Sequence, residues 1–438
     1  MPSSRPVAVD LFCGVGGMSL GFEQAGFDVL AAVDHDPVHL GAYSYNFPAT
    51  SVVCADIDLV SAETIHGAIR KGWTGYARDG EWDGTIDCLF AGPSCQGFSY
   101  IGLNDERDKR NDLIFSFARL VAELKPRSFV LENVPGILSS KYRRDLAKLI
   151  RQLRRAGYRL SDDSPHILDA ANHGVPQWRK RIFLVGVLGE APLPTMPLPN
   201  PSGPTTRDAL QGLPDFDRWQ SLRTSERLIL TARGLAELER ETSAYGRSLR
   251  LPYMAEYPRE WDEHVISGAG RTEHSAEVRQ RFALLPSGGQ DGPSRFRRLD
   301  PDGKSYTLRA GTGRDHGSFT APRPIHYAYP RVVTVREAAR LHSYPDWFSF
   351  HTAKWHAHRQ IGNSVPPRLA HAVASSIRDA LGVSVAKATE VVRPFGDVSL
   401  LSMSLIEAAD YFDYDRRLLP WDVTRSTGPT PSSGERSP

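Results

Sequence analysis

The chain has 438 residues, of which 40% are apolar and 24% are charged, with 37 glycines and 32 prolines. This ordinary globular composition excludes a wholly disordered, collagen-like or coiled-coil chain, and the length predicts two or three domains. The net charge of +2 does not by itself indicate a polyanionic partner. No stretch approaches the roughly 18 apolar residues of a membrane span, and the first residues do not resemble a secretory signal. We expect a cytoplasmic protein without a membrane anchor.

The four cysteines are Cys13, Cys54, Cys88 and Cys95. They lack CxxC spacing and have no histidines at the distances typical of zinc sites. The sequence therefore predicts neither a disulfide framework nor a metal site.

The first 186 residues alternate between apolar runs and helix-length segments. The runs at 7–12, 28–33, 86–90, 129–131 and 181–187 predict strands, and 141–157 predict an amphipathic helix. This alternation is typical of an α/β, doubly wound sheet that binds ligands at the carboxyl ends of its strands.

A proline-rich stretch at 190–206 marks a boundary, and 207–300 show only weak periodicity. Further on, Thr334 and Glu337 form a TxxE capping box that predicts a helix ending before Pro345, and a second helix is expected at 368–381. The predicted domains are 1–186 together with 356–384, a smaller domain at 187–355, and an extension at 385–438. The last fifteen residues, rich in Ser, Pro and Gly, are expected to be disordered.

A glycine-rich turn, DLFCGVGG at 10–17, follows the first predicted strand and precedes a helix. Backbone N–H groups in such a turn can approach an anionic group closely. Asp34 lies twenty residues beyond Gly14, at the end of the second strand, where a carboxylate can accept both ribose hydroxyls. The turn fits any nucleoside cofactor or a merely tight connection, but its spacing departs from GxGxxG and disfavours a nicotinamide or flavin dinucleotide.

Two further segments carry reactive groups. In AGPSCQGFS, at 91–99, Cys95 stands between a proline and a glycine in a strand-to-loop turn, which favours an exposed nucleophile. In FVLENVPG, at 129–136, a strand delivers Glu132 to the edge of the sheet. A carboxylate there requires a partner, or has a raised pKa and a proton to donate.

The segment QWRKR places Gln177, Arg179 and Arg181 on one face of a strand, converging on one site, if the strand alternates regularly. The alternative is an exposed basic edge strand. In QIGNSVPP, at 360–367, a turn is followed by prolines that can begin a helix.

In this order the blocks DLFCGVGG, PSCQGFS, ENV, QWRKR and GNSVPP closely resemble the DNA cytosine-5 methyltransferases of bacterial restriction-modification systems, and REAARLHSYPDWF at 336–348 matches a further block. The resemblance covers roughly 6–190 and 300–382. It implies a Rossmann-like, S-adenosylmethionine-dependent methyltransferase sheet with a smaller target-recognition domain. It also implies transfer of a methyl group to carbon 5 of cytosine in a specific double-stranded DNA sequence.

The resemblance assigns S-adenosyl-L-methionine as the cofactor. Phe12 would pack on the adenine, the glycine-rich turn would receive the methionine end, Asp34 would hold the ribose and Asp56 the adenine amino group. The full set of implied cofactor contacts is Phe12, Gly14, Gly16, Gly17, Asp34, His35, Asp56, Ile57, Asn363 and Val365.

The resemblance also assigns the chemistry. Cys95 would add to C6 of cytosine, Glu132 would stabilise protonation at N3, and Arg179 would contact O2 with support from Gln177 and Arg181. The base would be flipped out of the duplex. Ser99, Arg107 and Arg110 in the expected mobile catalytic loop, and Thr307 in the target-recognition domain, are the implied DNA contacts.

Double-stranded DNA is the implied partner. A cognate restriction endonuclease would act on the same site without a stable complex, and the enzyme would be a monomer associated with the nucleoid through DNA.

Three positions depart from the family pattern: Ser94 replaces a second proline, Trp178 a common arginine and Ser343 a common glycine. An RNA cytosine-5 methyltransferase and a catalytically silent DNA-binding protein are the alternatives. The absence of a Cys-Phe-Thr triplet argues against the first, and the intact reactive residues argue against the second.

Overall fold

The computed structural model describes residues 5–93, 112–311, 323–383, 385 and 391–419. The tail predicted to be disordered lies outside these residues. In the described part of the chain, no helix combines the length and apolar character needed to span a bilayer.

A central sheet organises the first half of the chain. Its strands run in the order β3-β2-β1-β4-β5-β8-β6, and β7 also pairs with β8. The first five of these are parallel, whereas β8 is antiparallel to β5, β6 and β7. The strands are β1 Val7–Leu11, β2 Asp28–Asp34, β3 Ser51–Cys54, β4 Cys88–Ala91, β5 Ser128–Asn133, β6 Tyr158–Arg159, β7 His166–Asp169 and β8 Lys180–Leu188. The predicted α/β sheet is confirmed.

The helices of the described chain are α1 Gly17–Gln24, α2 Pro37–Asn46, α3 Ala62–Gly75, α4 Leu113–Leu124, α5 Arg143–Arg155, α6 Thr206–Leu210, α7 Ala232–Glu241, α8 Ala244–Ser248, α9 Ala276–Leu284, α10 Val335–Leu341, α11 Lys354–Asn363, α12 Pro367–Ala380 and α13 Leu405–Tyr411. A short antiparallel pair, β9 Leu228–Ile229 and β10 Val265–Ile266, lies among them.

Helices cover both faces of the sheet. On one face α3 packs on β2 and β3, and α4 and α5 share an apolar cluster with β4 and β5, in which Phe117 and Leu149 are fully buried. On the other face α1 and α12 pack together over the same strands, burying Phe22 and Val373. The inner strands therefore have no solvent-facing side, which explains why they consist of continuous apolar runs.

The capping box predicted at Thr334 is present. The Thr334 side chain accepts a hydrogen bond from Glu337 N, and the Glu337 carboxylate accepts one from Thr334 N at 2.7 Å. Arg331 pairs with the same carboxylate at 2.8 Å. The helix that follows, α10, ends before Pro345 as predicted, and the helix expected at 368–381 is α12.

One apolar cluster joins distant parts of the chain. It contains Leu40 and Tyr43 of α2 together with Val335, Leu341 and Phe348. Residues from both sides of the expected boundary at 187 thus share a core, and the division into domains stays a prediction.

The residues 391–419, here called the C-terminal segment, fold back on the sheet domain. They comprise a 3₁₀ turn at Val398–Leu401, then α13, then a second 3₁₀ turn at Arg416–Leu418. The first turn and α13 both pack against α2. The segment is therefore part of the folded body.

Candidate active site

The glycine-rich turn after β1 forms one wall of the candidate site. Phe12 and Gly14 have positive φ angles of 61° and 54°, and no atom lies within 4 Å of a Cβ built at Gly14. A Cβ at Gly16, in contrast, would lie 2.5 Å from the ring of Phe47. At Gly17 it would collide with the carbonyl oxygen of Val365. The turn is thus open on one side and tightly packed on the other.

The contact at Gly17 joins opposite ends of the chain. The GNSVPP segment, which ends α11 and begins α12, lies directly against the start of α1. In this segment Val365 is buried and Asn363 is exposed.

Asp34 ends β2 beside this turn. Its Oδ2 accepts a hydrogen bond from Gly14 N at 2.8 Å, and its Oδ1 accepts one from Asp36 N at 2.9 Å. Burial opposes ionisation, but the hydrogen bond and positive charge of His35 hold the pKa of Asp34 well below its usual range. Asp34 therefore presents an anionic acceptor at neutral pH.

His35 and Asp56 follow the carboxyl ends of β2 and β3 beside Asp34, an edge of the sheet here called the rim. The hydrogen bond with Asp34 raises the pKa of His35 to about 9, and the charges of Asp36 and Asp56 add to this effect. Asp56 accepts a hydrogen bond from Asp58 N at 3.1 Å, whereas Ile57 is buried in the core. At neutral pH the rim therefore carries one imidazolium among several carboxylates.

Glu132 is delivered by β5 to the adjacent strand end. It is 7% exposed, and its Oε1 lies 2.8 Å from the Nε of Arg181 on β8. Burial raises the pKa of Glu132, although the charges of Arg181 and Arg179 oppose the shift. The expected partner is thus Arg181, and the carboxyl also has the raised pKa suited to donating a proton.

Gly92 allows this carboxyl to approach the loop that follows β4. A Cβ at Gly92 would lie 3.2 Å from the Oε2 of Glu132, closer than an ordinary van der Waals contact. The sequence motifs do not identify Gly92 as a site residue, although its position between a buried strand and the PSC motif is a signal that could have indicated one.

Burial alternates along QWRKR as predicted, but β8 begins only at Lys180, so Gln177 and Arg179 precede the strand instead of lying within it. Gln177 and Arg179 are fully buried, whereas Trp178 is 49% exposed and Lys180 also faces solvent. This excludes an exposed edge strand as the environment of the two buried side chains.

Arg179 hydrogen-bonds to two distant backbone segments. Its guanidinium donates to the carbonyl oxygens of Leu308 at 2.9 Å, Gly362 at 2.8 Å and Ser364 at 2.8 Å. It thus joins the GNSVPP segment to the extended stretch that contains Thr307. Its expected contact with cytosine O2 stays a prediction.

Gln177 belongs to a hydrogen-bonded chain that sequence reasoning missed. Its Oε1 accepts from Leu308 N at 3.0 Å, and its Nε2 donates to His342 Nδ1 at 2.9 Å. The His342 Nε2 lies 3.1 Å from the Ser364 carbonyl oxygen, which can only accept, so the ring proton is on Nε2. Burial and the charge of Arg179 lower the pKa of His342 well below its usual value, so the ring is neutral.

Thr307 lies beside the residues that lead into β8. Its hydroxyl donates to the Trp178 carbonyl oxygen at 2.7 Å, and Trp178 N donates to Ser305 O at 2.8 Å. The side chain of Thr307 is exposed. A surface residue of the second part of the chain is thereby fixed next to Arg179.

Ser343, which stands where the family commonly has glycine, adopts a glycine-like backbone conformation. Its φ is 65°, a left-handed conformation that glycine adopts more easily. Its hydroxyl accepts a hydrogen bond from Arg368 N at 3.2 Å. The serine thus gains a contact that glycine would lack.

Four of the predicted site residues, Cys95, Ser99, Arg107 and Arg110, lie outside the described residues, as does Ser94. The chain is described as far as Pro93 and again from Asp112.

Comparison with known proteins agrees with this geometry. A sequence model for the family "C-5 cytosine-specific DNA methylase" matches residues 7–379. The Type II methyltransferase M.XorII of Xanthomonas oryzae is 44% identical over 414 residues, covering 93% of this chain and 93% of that protein. The Type II methyltransferase M.AgeI of Thalassovita gelatinovora is 30% identical and covers 85% and 99% of the two chains.

Solved structures show the same architecture. A DNA modification methyltransferase encoded within an Escherichia coli prophage superimposes with a TM-score of 0.66 at 35% identity, covering 86% of this chain and all of that one. The S. pombe Dnmt2 methyltransferase superimposes with a TM-score of 0.52 at 17% identity, covering 86% of this chain and all of its own, a likeness of fold.

Proposed function

The chain belongs to the C-5 cytosine-specific DNA methylase family and is a DNA cytosine-5 methyltransferase of the type II restriction-modification kind, and we propose that it acts through a covalent adduct between Cys95 and a cytosine flipped out of a double-stranded recognition sequence. The observation that carries this proposal is the environment of Glu132: a buried carboxyl with a raised pKa, paired with Arg181 and adjoining the loop that leads to Cys95.

Enzymes of this family and fold depend on S-adenosylmethionine, and the pocket beside Gly14 suits this cofactor. The space above Gly14 is open, Asp34 is an anionic acceptor for a ribose diol, and the acidic rim favours a cationic sulfonium. When bound, S-adenosylmethionine supplies an electrophilic methyl group. We propose that Phe12, Gly14, Gly16, Gly17, Asp34, His35, Asp56, Ile57, Asn363 and Val365 form its site.

Cytosine C5 is a poor nucleophile, and the proposed residues would increase its nucleophilicity. The Cys95 thiolate forms a bond to C6 while Glu132 gives its proton to N3, so electron density moves to C5 and a methyl group can be accepted there. Loss of the C5 proton then restores the double bond and expels the thiolate. Arg181 orients Glu132, and the positive charges of Arg179 and Arg181 favour the thiolate.

The buried position of Glu132 supports base flipping. A carboxyl that is 7% exposed cannot reach N3 of a cytosine stacked within a duplex. We propose that Ser99, Arg107, Arg110 and the exposed Thr307 contact the DNA around the extruded base. A monomeric enzyme, associated with the nucleoid through DNA and sharing its site with a cognate endonuclease, fits the type II names of its relatives.

Bisulfite sequencing tests this proposal. Plasmid DNA would be recovered from a host without cytosine methylation that expresses the wild type, Cys95→Ala or Cys88→Ala. The matched control, Cys88, lies fully buried in β4, where burial raises the pKa of its thiol to about 12, so it cannot act as a nucleophile. We expect protected cytosines at one recurring motif with the wild type and Cys88→Ala, and none with Cys95→Ala.

Two results would contradict the proposal. Protection that persists in Cys95→Ala would exclude the covalent adduct. A wild type that binds S-adenosylmethionine but protects no cytosine would exclude a DNA substrate and direct attention to RNA.

A further inference from the structure

The C-terminal segment lies beyond the family match, which ends at residue 379, so family membership does not explain it. It is nevertheless firmly attached to the body of the protein. Leu401 O accepts a hydrogen bond from Thr352 N at 2.8 Å, and His351 Nε2 lies 3.0 Å from Met403 O. A Cβ at Gly41 of α2 would lie 2.7 Å from Leu400 O. Such close packing fixes the segment at a definite place on α2.

That place is next to the cofactor rim. Asp36 caps the start of helix α2: its carboxylate accepts a hydrogen bond from Val38 N at 3.0 Å, and its own N–H donates to Asp34 at 2.9 Å. Helix α13 packs along α2, and Phe412 contacts the same apolar cluster as Cys54, the last residue of β3. The C-terminal segment runs antiparallel to α2, because Gly396 N donates to Tyr45 O at 2.9 Å and Leu400 O lies against Gly41, so it leads toward the end of α2 that adjoins Asp36.

Tyr414 is the residue that this arrangement presents to the rim. Asp413 has a φ of 52°, which turns the chain after α13, and Tyr414 N donates back to Ala409 O at 2.8 Å. The phenol is half-buried. Burial raises the pKa of the phenol, and the neighbouring Cys54, Asp56, Asp36 and Asp34 raise it further, so the hydroxyl keeps its proton.

We propose that Tyr414 is a cofactor-binding residue whose phenol closes the nucleoside half of the S-adenosylmethionine site, with its hydroxyl donating a hydrogen bond to the bound nucleoside. This inference rests on the proposed cofactor site at Asp34 and Asp56. The chemistry is complementary because carboxylates on the rim accept hydrogen bonds, whereas ribose and adenine also present acceptors that require a donor. The aromatic ring adds an apolar wall against the purine.

The test compares three variants of the full chain. Tyr414→Phe removes only the hydroxyl, Tyr414→Ala removes the ring, and Tyr411→Ala is the matched control because Tyr411 ends α13, three residues earlier, and is 57% exposed. Calorimetry with S-adenosylhomocysteine gives the dissociation constant. We expect an increase of about 3- to 10-fold for Tyr414→Phe, the loss of one hydrogen bond, and a larger increase for Tyr414→Ala. Tyr411→Ala should stay within about 2-fold of the wild type.

Kinetics separate binding from structural damage. The KM for S-adenosylmethionine should rise in parallel, while kcat at saturation, the KM for DNA and the Tm of the free protein stay at wild-type values. A dissociation constant for Tyr414→Phe within about 2-fold of the wild type would overturn the role of the hydroxyl, even if Tyr414→Ala failed to fold. A wild type that binds no S-adenosylhomocysteine would refute the proposed cofactor site itself, which is a different failure.

Discussion

Replacing Arg181 by methionine tests how far the buried Glu132 carboxyl depends on its ion pair. Methionine keeps much of the aliphatic stem and removes the guanidinium, whose Nε lies 2.8 Å from Glu132 Oε1. The two side chains are 13% and 9% exposed, so water cannot replace the lost partner fully. Removing one partner of a buried pair costs about 3–5 kcal/mol. Because both groups touch solvent, we expect the lower value, about 3 kcal/mol.

The effect should depend on pH. Burial already raises the pKa of Glu132 against the opposing charges of Arg181 and Arg179, and loss of Arg181 raises it further. A carboxyl whose folded pKa exceeds its unfolded pKa favours the folded state at low pH, and this contribution is lost as the pH rises through the folded pKa. The destabilisation of Arg181→Met should therefore be larger at about pH 8 than near pH 5, because proton uptake by Glu132 at lower pH removes part of the cost of its unpaired charge.

Calorimetric unfolding at these two pH values gives the measurement. With an unfolding entropy of about 2.1 cal/mol/K per residue, a loss of about 3 kcal/mol lowers Tm by roughly 3 °C in a chain of this length. The double variant Glu132→Gln/Arg181→Met leaves no charge of this pair buried without its partner and should recover most of the loss. The exposed Arg144 of α5 provides the control, Arg144→Met, which should leave Tm unchanged.

An Arg181→Met variant that melts within about 1 °C of the wild type at the higher pH would show that Glu132 does not depend on this ion pair. An equal loss at both pH values would also refute this dependence, because the cost would then come from packing instead of from an unpaired charge. A double variant as unstable as the single one would contradict it for the same reason.

Three further predictions concern other parts of the site. Asp34→Asn should weaken S-adenosylmethionine binding about 10- to 100-fold in calorimetry, since hydrogen bonds to a charged acceptor are worth roughly 1.5–3 kcal/mol; unchanged affinity would exclude the ribose contact. Gly92→Ala places a Cβ 3.2 Å from the Glu132 carboxyl, so single-turnover methylation should slow by about 10-fold with cofactor affinity intact, and a wild-type rate would show that the carboxyl tolerates the shift. His342→Phe should lower Tm by about 2 °C at about pH 8 and by less near pH 6, because at the lower pH the unfolded wild-type chain takes up a proton on His342 that the folded chain does not bind; an equal loss at both pH values would contradict the depressed pKa of His342.

The strands that the sequence predicted are those buried on both faces. Their apolar runs reflect burial under helices, which is a local signal. The strands β6 and β7, with two and four residues, carry too little pattern to be recognised, and β3 is only half-buried along its length. Their pairing depends on neighbours far away in the chain.

In the candidate site, too, local features could be predicted from the sequence and long-range contacts could not. The motifs indicated Glu132 and the alternation of QWRKR, because both are encoded within a few residues. They could not indicate that Arg181 pairs with Glu132, since this depends on the antiparallel register of β5 and β8. Nor could they indicate His342, which reaches Gln177 from a separation of 165 residues. Tyr414 lay in a segment that matched no motif at all.

The contact of Gly17 with Val365 has a consequence for synthesis in the cell. The wall of the pocket is complete only when α11 and the start of α12 have packed against a helix made roughly 350 residues earlier. A ribosome that has translated the sheet strands has therefore produced a chain with Asp34 and Glu132 but without a finished pocket. Prematurely terminated chains should be inert as methylating agents, so modification of DNA would begin only with molecules translated almost to their end.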